Sequence, residues 1–453
     1  MISGEIQMKY VLSLAFGFFL ILNFSYAQAQ DNSTSSNLSR YIEEIVVTAR
    51  ARDESVRDIP VAITAISEEE MDTYGFQTLD DIANSSASLE INRLSSGSGV
   101  QIAIRGIASS PGSLGIEQST AVMIDGVYFP QGRVINEGLF DVSQVAILKG
   151  PQALYFGKNA TSGAVVVTTN DPGDELEWGF KVANEFEYET NTTEFMVSSP
   201  LSDNWGIRLA LFNSEMDKGW LENTAGPTTY TTVDVSQGFA PTVHETRGPV
   251  SSHSPQSELS AGRLTLAGNF SENVFFKLKA SFADNTYANM GVSEWYDCTT
   301  LGGKPHVNTA NPDNPGFLMP IENVGGGECN KDRRSGANPI PTTPAAALPI
   351  TGQLGGDLGE NYESKIITAH LNVDLDEVFI QTIVNHHEQN VGWVIDCDGG
   401  ASVGCFAGEG NDFENFSIES KVISKNEGNF NWALGAYYAD TERYFIQEVI
   451  FAG

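Results

Sequence analysis

Basic residues are scarce in this chain. Its 25 lysines and arginines stand against 58 aspartates and glutamates, for a formal net charge of −33 over 453 residues. A chain this acidic repels phosphate backbones, whose binding rests on Lys and Arg contacts, so nucleic acid is excluded as a general partner. Cysteine is sparse as well, with only Cys298, Cys329, Cys397 and Cys405. Read by proximity they pair as 298 with 329 and 397 with 405, outside a reducing compartment. Other pairings stay open, and neither spacing resembles a tight zinc knuckle. Enzyme signatures are missing too. There is no His-Glu-x-x-His, no Gly-x-Ser-x-Gly, and Gly150-Pro151 lacks the Gly-Lys-Ser/Thr ending of a phosphate cradle. Acidic pairs are too numerous to single out a glycosidase dyad. Neither an enzyme nor a cofactor is expected.

Beyond the N-terminal region no stretch is apolar for the ~20 residues a spanning helix needs. The N-terminal region itself reads as an export signal: Met8-Lys9, an apolar run over 10–26 interrupted by Asn23, then Ala27-Gln28-Ala29. Small residues at the last and third-last positions place cleavage after Ala29, giving a signal over 1–29. Met8 offers a more conventional start than Met1. An exported chain without apolar helices still enters a membrane if its strands close into a barrel.

Residues 30–57 form a polar linker ending in a short β-prone run, Ile45-Val46-Val47-Thr48-Ala49, suited to adding as a strand to a partner's sheet edge. Residues 58–171 read as a small α+β unit. Val61, Ile63 and Ile66 suggest a strand. Ser67 before Glu68-Glu69-Glu70 suggests a helix N-cap, and a second short helix is expected over 78–83. The stretch 120–128 predicts a strand turning at Asp125-Gly126; 142–148 and 164–169 predict two more.

Residues 172–453 change character to strands of period two. Phe276, Leu278, Ala280 and Phe282 oppose Lys277, Lys279 and Ser281. Ile367, Ala369, Leu371 and Val373 oppose Thr368, His370 and Asn372. Phe416, Ile418 and Val422 oppose Ser417, Glu419 and Lys421, and Trp432, Leu434, Ala436 and Tyr438 form another apolar row. Strands are expected near 177–188, 191–200, 204–215, 259–269, 273–285, 363–373, 376–388, 413–423 and 430–442. Short links alternate with long ones at 215–258, 286–361 and 389–412, so the long links all fall at one end. Short periplasmic turns and long external loops are the habit of outer-membrane barrels. A soluble sandwich shares the alternation but rarely tolerates so long a structureless link. A closed barrel of about nine strands has a radius of ~9 Å. The first unit, with a gyration radius of about 14 Å, does not fit inside it, so more strands are expected beyond Gly453.

Several pieces, in order, resemble the TonB-dependent receptor family. They are Glu44 to Ala49; Asp58-Ile59-Pro60-Val61-Ala62-Ile63; Ile104-Arg105-Gly106; and Val122-Met123-Ile124-Asp125-Gly126-Val127. The strongest is Val145-Ala146-Ile147-Leu148-Lys149-Gly150-Pro151-Gln152, continued by Phe156-Gly157-Lys158-Asn159 and Ser162-Gly163-Ala164. Lys149 stands where many members carry Arg, which keeps the charge and loses the bidentate fork. Ala153-Leu154 replaces a common Gly and small polar residue.

The resemblance implies an α+β plug domain inside a transmembrane antiparallel β-barrel of about 22 strands. It implies a cell outer membrane location in a Gram-negative bacterium, contact with outer-membrane lipid, and uptake of a scarce solute, most often a ferric siderophore. Haem, cobalamin, carbohydrate, or a non-transporting surface receptor or adhesin are the alternatives. Ile45 to Ala49 would be the TonB box, engaging TonB with its ExbB–ExbD complex. Arg105, Lys149 and Lys158 are assigned to charged contacts with the barrel wall. Gly106, Gly126, Gly150, Gly157 and Gly163 are assigned to turns and close approaches. A metal ligand set is not assigned. His386-His387-Glu388, near the outer end of a strand, is a candidate for iron or haem. Asp396, Asp398, Glu409 and Asp412 are candidates for Ca²⁺.

Overall fold

The computed structural model describes residues 46–47, 54–55, 61–93, 99–110, 117–223, 226–227, 229–234, 240–245, 248, 251–288, 306–308, 318–320, 333–335, 338–340, 349–350, 354, 356–396, 405–426 and 430–451. The expected signal segment lies outside them, as do Cys298, Cys329, Cys397 and the side chain of Cys405; the disulfide expectation therefore falls outside the described residues.

Two short strands come first: β1 (Val46–Val47) pairs antiparallel with β2 (Glu54–Ser55). The α+β unit follows. β3 (Ala62–Ser67) leads into α1 (Glu68–Tyr74), whose N-cap Ser67 forms a capping box with Glu70, and whose C-cap is the left-handed Gly75. Three glutamates in the first turn suit the positive end of the helix dipole. α2 (Leu79–Ser85) repeats the device with Thr78 and Asp81. Then come β4 (Leu89–Arg93), β5 (Val100–Ile104), β6 (Thr120–Ile124), β7 (Val127–Phe129), a 3-10 turn over Gly132–Glu137, β8 (Val142–Lys149), α3 (Ala153–Phe156) and β9 (Gly163–Thr169). The central sheet runs β3-β8-β9-β6-β7, with only β9 and β6 parallel. Apart from the edge strand β3, its strands are apolar on both faces and largely buried on both. Ile82, Val122, Val145 and Val165 fill one side, Ala146, Leu148 and Ala164 the other.

Nine long strands form one antiparallel sheet in chain order: β10 (Glu177–Glu185), β11 (Thr190–Ser202), β12 (Trp205–Met216), β13 (Gln256–Ser271), β14 (Val274–Ala288), β15 (Gly359–Asp374), β16 (Val378–Asp396), β17 (Cys405–Ser424) and β18 (Ala433–Phe451). All nine expected strands exist. From β13 onward the upper ends run longer than expected, β10 ends at Glu185 rather than 188, and the expected link 389–412 shrinks to 397–404.

The wall is inverted relative to a water-soluble sheet. On β15, Ile367 is 52% exposed and Leu371 39%, whereas their neighbours Thr368 and His370 are each 5% exposed. On β14, Leu278 and Phe282 face out while Lys279 is buried. Apolar side chains line the outside and polar ones point at the first unit, as lipid outside and a polar lumen inside require. Towards the long-link ends the phase reverses. Val391, Trp393 and Phe413 point inward, while Glu388, Asn390, Asp412 and Glu414 point out. There the outer face meets water, and the period-two reading ended these strands early because its apolar row changed sides.

Candidate functional site

Inward-facing wall residues meet the first unit, the expected plug, along a charged seam. The seam starts from the Asp125-Gly126 turn, which joins β6 to β7. Both residues have positive φ, 49° and 81°, as a two-residue hairpin turn of this hand needs. The turn aims the Asp125 carboxylate at the end of β9. The Thr169 N–H donates to its Oδ1 at 2.9 Å and the Thr169 hydroxyl to its Oδ2 at 2.7 Å. From the wall, Lys279 Nζ donates to Asp125 Oδ2 at 3.1 Å and to Thr169 Oγ1 at 2.5 Å. Lys279 also lies 3.0 Å from Asp171, which accepts from Lys277 at 2.8 Å. Asp171 sits in the segment that leaves the plug for β10, and the next link of that segment is held too: Gly173 N–H donates to Ser198 Oγ on β11 at 2.9 Å.

A second group centres on Asp141, just before β8. Arg208 grips it as a fork, with Nε 2.9 Å and Nη2 2.6 Å from Oδ1. Arg263 donates to the Phe140 carbonyl at 3.2 Å and lies 4.5 Å above the Phe140 ring. Glu137 completes the set, accepting from Ser364 Oγ at 2.6 Å and from the Tyr362 hydroxyl at 3.2 Å, all three buried. Asn285 donates to the Asn136 carbonyl at 3.2 Å. One pair has the signs reversed: Arg133 of the plug lies 3.8 Å from Glu360 of the wall. A cavity of about 20 Å³ between Asp125, Glu137, Arg263, Lys279 and Thr368 has room for one water.

The seam divides the plug carboxylates electrostatically. Burial pushes Asp125 up, but Lys279, Lys277, Arg263 and the Thr169 N–H outweigh it and hold the carboxyl well below its ordinary range. Asp171 is likewise lowered, burial being overcome by Lys279 and Lys277. Glu137 goes the other way. Burial raises it, and the hydroxyls of Ser364 and Tyr362 with the charge of Arg263 do not compensate.

The remaining motif residues mostly build the plug itself. Arg105 and Gly106 form an exposed turn after β5. Lys149 ends β8. Gly150 N–H donates to the Ser162 carbonyl at 2.9 Å and Gln152 N–H to the Ala160 carbonyl at 2.8 Å, closing the loop that carries Pro151 and Gly157. Gly163 is packed so tightly that a Cβ would lie 2.1 Å from the Leu148 carbonyl oxygen. Lys158 Nζ donates to Glu117 at 2.8 Å, and Glu117 also accepts from Asn159 and from the Tyr128 hydroxyl. Burial, then the Glu117 charge, push the Tyr128 hydroxyl above its ordinary value. This corrects the expected role of Lys158: its charge is answered inside the plug. Among the described residues the plug–wall ion pairs run chiefly from plug acids to wall bases, not from Arg105, Lys149 and Lys158.

Two ligand expectations are corrected as well. His386-His387-Glu388 lies inside β16 and not at its outer end. His387 is fully buried between the rings of Phe129 and Phe413, at 5.3 and 5.6 Å, while His386 points away and contacts Glu388 at 3.1 Å. Glu409 and Asp412 sit an odd number of residues apart on β17, so one is buried inside and the other exposed outside; they cannot share an ion. Asp398 lies outside the described residues. Of the expected TonB box, Val46 and Val47 are strand, and Ile45, Thr48 and Ala49 lie outside the described residues.

Sequence reasoning noted Lys277 and Lys279 only as a polar face, and missed Glu137, Asp141, Arg208 and Arg263. The signal was present. Arg208, Arg263 and Lys279 all stand at inward-facing strand positions, and a buried base demands an acid opposite it.

Comparison with known proteins bears on the whole arrangement. Residues 55–164 match the family model described as TonB-dependent Receptor Plug Domain. The iron-regulated outer membrane virulence protein of Vibrio cholerae is 22% identical over 197 residues, covering 41% of this chain and 29% of that protein. The pesticin receptor of Yersinia pestis is 25% identical over 222 residues, covering 48% of this chain and 31% of that protein. Among solved structures, the ferric yersiniabactin uptake receptor FyuA from Yersinia pestis superposes with a TM-score of 0.60 at 15% identity, over 86% of this chain and 50% of that one. The chain thus spans under a third of the length of these curated relatives and half that of the solved receptor.

Proposed function

The chain carries the plug domain of a TonB-dependent receptor with nine strands of its outer-membrane barrel wall, and from that premise we propose that it serves TonB-driven uptake of a ferric siderophore. Family and fold are those of transporter receptors and not of enzymes. The observation that carries the reading is the seam. The plug is held in a lipid-facing wall by buried ion pairs and hydrogen bonds, set beside apolar contacts such as Phe140 on Phe212 and Ile383 on the plug core. The polar contacts are specific when closed. A stopper held this way seals the barrel at rest, and its polar contacts can be taken over by water as it shifts under load.

In this reading Ile45 to Ala49 adds as a strand to TonB, which is powered through ExbB–ExbD. The backbone supplies much of that contact, so a short box suffices to transmit a pull. The names of the relatives support an iron chelate as cargo over haem, cobalamin or carbohydrate. The name pesticin receptor supports the alternative of a surface receptor on the same scaffold.

The test is uptake of a radiolabelled ferric siderophore by iron-starved cells carrying the full-length gene. Accumulation that stops with a protonophore and with Val46→Pro, which removes a strand N–H, is expected. Accumulation that survives both overturns the role of the box. Surface binding without accumulation favours the receptor reading.

A further inference from the structure

The outside of the wall carries a charged groove that neither the seam nor the uptake reading uses. Strand register puts Lys365, Glu388, Glu414 and Glu442 in one row across β15, β16, β17 and β18, each directly opposite the next, and all four are exposed on the outer face. Glu363 and Asp412 stand one row above, and the six line an open groove of about 420 Å³. Three carboxylates directly opposite one another on neighbouring strands repel. The nearest base is His386, 3.1 Å from Glu388 and 4.0 Å from Glu414. Among the described residues Lys365 makes no ion pair or hydrogen bond.

The height of the row says what faces it. Ile367 and Phe416, one row below, are exposed on the lipid side. On β18, Glu442 stands ten residues above Trp432, the aromatic at the short-turn end. At about 3.4 Å per residue and ~40° of tilt that is a rise of roughly 26 Å, against the ~25 Å of an outer-membrane apolar band. The groove therefore continues the lipid-facing surface upward into the hydrated headgroup layer of the outer leaflet. We propose that it seats the headgroup of an outer-leaflet lipid carrying a primary amine beside its phosphate, the ammonium between the glutamates and the phosphate against Lys365. Acids outnumber bases here, so a headgroup bearing phosphate alone is repelled. A bare divalent ion fits less well: among the described residues no three His, Cys, Asp or Glu side chains converge closely enough to hold one. An ammonium with three N–H donors reaches carboxylates that are spread over adjacent strands. Such a lipid relieves the repulsion in the row and fixes the height of this side of the wall in the membrane, whatever the cargo.

Native mass spectrometry of the full-length receptor tests this. The receptor is released from nanodiscs holding phosphatidylethanolamine, phosphatidylcholine and phosphatidylglycerol in equal parts, and the lipids it keeps are counted. Phosphatidylethanolamine is expected to exceed phosphatidylcholine by about fivefold, because a trimethylated amine keeps the charge but donates no N–H. The triple variant Glu388→Gln/Glu414→Gln/Glu442→Gln should bring the two to parity, with the unfolding temperature as the check that it folds. Equal retention by the unaltered receptor overturns the proposal without recourse to any variant. A preference that persists in the folded triple variant places the lipid elsewhere and overturns this site. Phosphatidylglycerol rising above phosphatidylethanolamine on addition of Mg²⁺ gives the row to a bridging ion and overturns the amine.

Discussion

Lys279 of the wall, buried, and Asp125 of the plug, its side chain 9% exposed, lie 3.1 Å apart and are the residues through which strand β14 holds the turn between β6 and β7. The contact is anchored on both sides. Thr169 donates twice to Asp125, and Lys279 is shared with Asp171. Removing the lysine takes from Asp125 its one directly bonded cation, while Asp171 keeps Lys277. Lys279→Met is expected to cost about 3–5 kcal/mol of plug seating. In the double variant with Asp125→Asn much of that loss should return. Calorimetry of the purified full-length receptor in detergent measures both, and equal losses in the two variants would refute the pairing.

Glu137 gives the seam a pH dependence of definite sign. Its carboxyl is raised by burial, so the seated state favours the protonated form. The benefit of that form is fully present below the ordinary carboxylate range and is lost as pH rises through the raised value. Seating should strengthen as pH falls from neutral towards that range. Asp125, being lowered, begins to weaken seating only in stronger acid. Glu137→Gln should raise the plug transition temperature at pH 7 and flatten its response to mild acid. A titration of the transition temperature in both proteins decides it.

Two glycines in the plug loop make opposite predictions. A Cβ at Gly163 would meet the Leu148 carbonyl at 2.1 Å, at a φ of 148°. Gly157, at φ 73°, has open space around it. Gly163→Ala is expected to keep the plug from seating, seen as protease sensitivity of the intact receptor. Gly157→Ala should cost only the ~1–2 kcal/mol of a left-handed alanine. Equal effects would contradict the packing of β8 on β9.

The inverted wall predicts where a charge is tolerated. Ile367 points outward near the middle of β15. Ile367→Arg should destabilise the barrel in a bilayer by about 2–4 kcal/mol. Asp412→Arg, on the outer face but above the apolar band, should cost little. Refolding into vesicles under denaturant compares the two, and indifference at position 367 would argue against lipid contact there.

Most of the fold was legible because each element carries a local cause. Ser67 with Glu70 and Thr78 with Asp81 announce both plug helices, Asp125-Gly126 announces the hairpin, and the two-residue rhythm of 276–282 and 367–373 announces the wall. The strand ends were not legible. Beyond residue 388 the apolar row crosses to the inner face, and an alternation that changes phase looks like a strand that stops. Nor could the seam be read. Which inward base meets which acid depends on how the plug sits in the wall, and Asp125, Glu137 and Asp141 are ordinary acids among 58 until Lys279, Ser364 and Arg208 stand opposite them.

The distribution of sign across the seam restricts what evolution can exchange. Stopper and casing are one continuous polypeptide, yet they fit like a key cut for a single lock, carboxylates chiefly on the inner piece and cations chiefly on the outer, with Arg133 and Glu360 the reverse. A foreign stopper brought in by recombination would need acids at the places of Asp125 and Asp141, or it would leave Lys279 and Arg208 buried with no counter-charge.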